Sequence, residues 1–68
     1  MNINEVFAII SKEMGKDETF LNKYAKILED EFIFDASQLK DITDEDFKEW
    51  KFPKGIVHKI KNFDEKVY

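Results

Sequence analysis

Apolar residues in this chain recur three and four positions apart and hardly ever alternate two apart, so helices are the default element. Val6, Phe7, Ile10 and Met14 share one side of a first helix over 5–14, with Asn4 in the capping position, Glu5 in the first turn and Gly15 as the stop. Asp17 opens a second, in which Phe20, Leu21, Tyr24, Ile27 and Leu28 form one buried stripe and Asn22, Lys23, Lys26 and Glu29 face outward. Phe32-Ile33-Phe34 is apolar but too short for an element, and reads as a buried connector.

Two capping boxes follow, Asp35 with Gln38 and Thr43 with Asp46; each starts a short helix, holding Ala36 and Leu39 in one and Phe47 and a largely buried Trp50 in the other. Pro53 suits a first turn, and Ile56, Val57, Ile60, Phe63 and Val67 then lie along one face of a closing helix over 54–66. The pattern predicts an all-α fold. Its five helices, two short ones in the middle and a longer one at the C-terminal end, form a compact orthogonal bundle over 1–68 as a single domain.

Sixty-eight residues leave little core for a buried active site, although ten aromatics within a 43% hydrophobic composition suffice for a packed globule. The absence of cysteine removes disulfides, thiolate metal sites and cysteine nucleophiles, and fits an intracellular compartment, cytoplasmic or nuclear. Val6–Ile10, the longest apolar run, is far too short to enter and cross a bilayer, so no membrane insertion is expected.

Chemical readings fail on spacing. A calcium loop from Asp41 would need glycine sixth and glutamate twelfth, where Asp46 and Phe52 stand. Asp44, Glu45 and Asp46 in a first helical turn are accounted for by the positive end of the helix dipole. His58 is the single histidine and has no sequence-adjacent triad partner, and no glycine-rich phosphate loop occurs. Neither a catalytic group, a metal site nor a cofactor is expected.

Charge is unevenly distributed: residues 29–49 carry nine acids against Lys40 and Lys48, whereas 50–61 carry Lys51, Lys54, Lys59 and Lys61 with no acid. An acidic lobe beside the basic helix opposes a phosphate backbone, which makes nucleic acid a poor partner. Segregated charge suits instead a surface of opposite sign, including that of another copy of the same chain.

From Phe20 to Phe63 the sequence resembles a sterile alpha motif (SAM) domain, a five-helix interaction module. Leu39-Lys40 leads into "DITDEDFKEWKFPKG" and then "IVHKIKNF", with Ile42, Thr43, Asp46, Phe47, Trp50 and Phe52 on the family's apolar, capping and acidic positions. Gly55, Lys59 and Ile60 match the first turns of its last helix, while Lys51 stands where the family has a glycine. The resemblance implies a non-catalytic adaptor or scaffold of signalling assemblies that binds another SAM domain or itself. The acidic partner-binding side would be Asp35, Asp41, Asp44, Glu45 and Glu49; the basic side would be Lys51, Lys54, Gly55, His58 and Lys59. The alternative implied is an RNA-binding SAM-like domain using the lysine-rich last helix.

Overall fold

The computed structural model describes residues 1–67, and the chain is helical with no strand among them. Four α-helices are α1 (Ile3–Glu13), α2 (Asn22–Asp30), α3 (Asp44–Glu49) and α4 (Lys54–Lys61). A six-residue 3-10 helix, Ala36–Asp41, lies between α2 and α3 and makes five; a 3-10 turn, Glu65–Val67, follows α4. The Cα radius of gyration is 10.9 Å, the value of about 11 Å expected for a compact chain of this length.

α1 starts two residues before the position expected from Asn4. Its cap is Asn2, whose Oδ1 accepts from Glu5 N at 2.9 Å while Glu5 Oε1 accepts from Asn2 N at 3.3 Å. The earlier start is set by a distant segment: Ile3 N donates to Phe34 O and Ala36 N to Met1 O, which pins the beginning of the chain along residues 34–36. Ile3 thereby joins Val6, Phe7 and Ile10 in the core. Ser11 is also buried there, and its hydroxyl donates to Phe7 O at 2.7 Å, so burial leaves no polar atom unpaired.

α2 begins five residues later than Asp17. That carboxylate accepts from both N and Oγ1 of Thr19 and holds a turn, so Phe20 leaves the buried stripe and is 50% exposed. Leu21, Ala25 and Leu28 remain inside, and α2 packs on α1. Both central capping boxes form as expected: Ser37 N donates to Asp35 and Asp35 N to Gln38, and Asp46 N donates to Thr43 and Thr43 N to Asp46.

α4 stops at Lys61, short of the expected 66. Asn62 Nδ2 donates to His58 O at 2.8 Å, taking up a carbonyl of the last turn. Phe63 still packs on the core, but Val67 is exposed. The core itself joins every helix: Phe7 and Ile10 meet Leu21 and Leu28, then Leu39 and Ile42, then Phe47, Phe52, Ile56 and Ile60.

Three helices end in the same hydrogen-bond pattern, in which one residue turns left-handed and the next donates back five positions. Gly15 (φ 74) ends α1, with Lys16 N donating to Ser11 O. Phe32 (φ 60) ends α2, with Ile33 N donating to Leu28 O, and Lys51 (φ 60) ends α3, with Phe52 N donating to Phe47 O. The left-handed conformation is easy for glycine and strained for the other two.

Candidate docking surfaces

The five acids read from the sequence do not form one patch. Asp35 is half-buried at the cap of the 3-10 helix, where Oδ2 accepts from Ser37 N at 3.0 Å and Ser37 Oγ at 2.7 Å. Those two bonds hold its carboxyl below its ordinary value of 3.8, and leave it with an internal role. Asp44 is ion-paired with Lys61, so the start of α3 touches the end of α4 and one acid of the middle region is neutralised by one lysine of the last helix. Asp41, Glu45 and Glu49 are exposed and carry no ion pair among the described residues.

Asp41 shares a shallow hollow of about 270 Å³ with Glu31, Asp46 and the half-buried indole of Trp50. Trp50 is therefore less enclosed than the sequence suggests: one edge packs on Phe47 (ring centroids 6.1 Å apart) and Phe52 (6.0 Å), and another lines this acidic hollow. No lysine lines it among the described residues. No group of three or more His, Asp or Glu side chains among them could hold a metal ion.

The basic residues are all exposed and divide into two rows. Lys51 precedes α4 and Lys54 begins it, with His58 one turn further on; Gly55 and Lys59, also one turn apart, lie on another row. No side chain caps α4, whose preceding residue is Pro53. Its first N–H groups thus add their partial positive charge to the lysines. Gly55 has ordinary helical backbone, and a Cβ built on it would meet nothing within 4 Å, so no internal packing accounts for glycine there.

The Gly55–Lys59 row borders an apolar groove of about 680 Å³. Met14, Phe20 and Tyr24 form one wall and Pro53 and Ile56 the other, with Lys23 and Lys59 at its edges. Lys23 Nζ stands 5.0 Å from the Tyr24 ring centroid and Lys16 Nζ 5.5 Å from that of Phe20, so the aromatic faces of this region carry cations.

Phe32 and Phe34 correct the expected buried connector. They are 78% and 50% exposed and meet edge to face, 6.1 Å between centroids, while Ile33 between them packs on the core. No glycine or asparagine stands where α2 ends, so a residue with a side chain must take the left-handed position, and the structure gives it to Phe32. Gln38 holds the segment: Oε1 accepts from Phe34 N and Asp35 N, and Nε2 donates to Phe32 O at 3.2 Å.

No helix among the described residues is long and apolar enough to cross a membrane. Comparisons of the chain with protein-family models, curated proteins and solved structures give no match.

Proposed function

We propose that the chain is a non-catalytic protein–protein interaction module, a SAM-like orthogonal bundle that joins another such domain or a second copy of itself. An acidic mid-domain surface of one partner receives the basic N-terminal end of α4 of the other. The observation that carries this reading is that end of α4: uncapped, begun by Lys54, and continued by a glycine that the fold does not require. Glycine inside a helix costs about 0.5 to 1 kcal/mol relative to alanine, and close approach of an outside surface to the backbone gives that cost a purpose. Asp41, Glu45 and Glu49 are the acids free to meet it, since Asp35 and Asp44 already have partners.

Sedimentation velocity at low and high salt, on wild type and on Lys54→Glu with Lys59→Glu, tests the proposal. Self-association, or capture of another SAM-like domain, that weakens with salt and is lost in the double variant supports it; a monomer in all conditions that captures no such domain removes it. Titration with hairpin RNA addresses the remaining alternative, which requires RNA binding that the same double variant abolishes. Lys61 is engaged by Asp44, which leaves the last helix fewer lysines for phosphate contacts.

A further inference from the structure

Five large apolar side chains are exposed among the described residues, and four of them lie in two pairs. Met14 and Phe20 line the lysine-edged groove; Phe32 and Phe34 form a protruding aromatic knob. The surroundings of the two pairs are opposite in charge. Residues 29–35 read "EDEFIFD", four acids and no lysine, whereas the groove lining contains Lys23 and Lys59 and no acid. Asp17, in the loop before Phe20, is occupied by the Thr19 N–H and hydroxyl.

The knob is costly to the isolated chain on two counts. Phe32 is the most exposed large hydrophobic residue described, and it sits in a left-handed conformation that glycine would adopt without strain. Gln38 and the Ile3 N–H to Phe34 O bond nevertheless fix the segment in place, so the rings are presented by an ordered backbone. Knob and groove cannot meet within one molecule. Leu21, Lys23 and Tyr24 of the groove stand at the start of α2 and Phe32 just past its end, and a nine-residue helix holds its ends about 13 Å apart.

We propose that the occupant of the groove is the Phe32–Phe34 knob of a second copy of this chain. The two rings enter between Tyr24 and Ile56 while Glu29 and Glu31 approach Lys23, Lys59 and Lys16 of the neighbour; Asp30 stays paired with Lys26 and Asp35 with Ser37. Each copy carries one knob and one groove on different regions, so the contact is heterologous and propagates as a ring or an open chain. The inference rests on the proposed self-association, deepening it by naming an aromatic contact where that reading names only charge and the end of α4.

The test uses the whole 68-residue chain in sedimentation velocity over a concentration series at low salt. A knob variant, Phe32→Gly with Phe34→Ser, keeps every charge. A groove variant, Phe20→Ser with Lys59→Glu, keeps the knob; circular dichroism verifies that both fold. Each should self-associate at least about tenfold more weakly than wild type, as expected when buried aromatic anchors are removed. Mixed one to one, the two variants should form a heterodimer that stops there, because each retains one competent surface.

Wild-type-like association of the knob variant, with loss in Lys54→Glu/Lys59→Glu, would overturn the knob and leave the charge reading standing. Failure of the two variants to pair when mixed would overturn the groove as the knob's receptor. A wild type that stays monomeric at millimolar protein would remove the self-association on which both depend.

Discussion

The ends of α2 and α3 have the same backbone and opposite side-chain arrangements. Each helix finishes with a left-handed residue at φ 60, then a residue whose N–H reaches back five positions, at 2.9 Å for Ile33 and 3.0 Å for Phe52. In this geometry the left-handed residue is directed to solvent and the next one folds in against the helix. After α3 the outward residue is Lys51 and the inward one is Phe52, whose ring lies 5.3 Å from that of Phe47. After α2 the outward residue is Phe32 and the inward one Ile33. Hydrophobicity did not decide which phenylalanine is buried; the position relative to the helix end did.

Large-to-small substitutions should expose this difference most clearly. Phe47→Ala removes a fully buried ring and should cost about 3 to 5 kcal/mol in urea denaturation, enough to unfold much of a chain whose total stability is itself of order 5 kcal/mol. Phe34→Ala in the knob should cost under about 1 kcal/mol. Comparable losses at the two sites would mean that the knob is packed, and the comparison would fail.

Next in size is Gln38→Ala. It deletes the amide that accepts from Phe34 N and Asp35 N and donates to Phe32 O, and should cost about 1 to 2 kcal/mol. Faster amide exchange should appear at residues 34 and 35 while the end of α3 keeps its protection. Uniform loss of protection would show that the segment is not a separate unit.

Glycine at the two left-handed positions should act in the opposite direction. Phe32→Gly and Lys51→Gly each relieve backbone strain and should raise stability by about 0.5 to 1 kcal/mol, after the greater freedom of the unfolded chain is subtracted. A loss at Phe32 with a gain at Lys51 would reveal stabilising contacts of the Phe32 ring that its exposure does not suggest.

The smallest effect is on acid stability. The Ser37 hydroxyl and then its N–H lower the folded-state value of Asp35 below 3.8, so its contribution is fully present above that pH and is lost as pH falls through the folded value. Melting temperatures measured from pH 6 downward should show, below about pH 4, an acid-dependent component in wild type that Asp35→Asn lacks. Asp17, lowered first by the Thr19 hydroxyl, behaves with the same sign, and Thr19→Val should diminish its share.

Interactions that close within about four residues were legible from the order of amino acids alone. The helical class, the burial of Val6, Phe7 and Ile10 in the first stripe and of Leu21 and Leu28 in the second, both central capping boxes and the burial of Leu39, Phe47, Ile56 and Ile60 all follow from local spacing, because the groups concerned are neighbours in any helix. Tertiary structure decided the rest. The start of α1 moved to Asn2 because Ile3 bonds Phe34, thirty-one positions away in sequence; the groove gathers residues 14, 20, 24, 53 and 56 from three parts of the chain; and Asp44 met Lys61 across the domain. Contacts of that range depend on how helices are placed against one another, which local pattern does not encode.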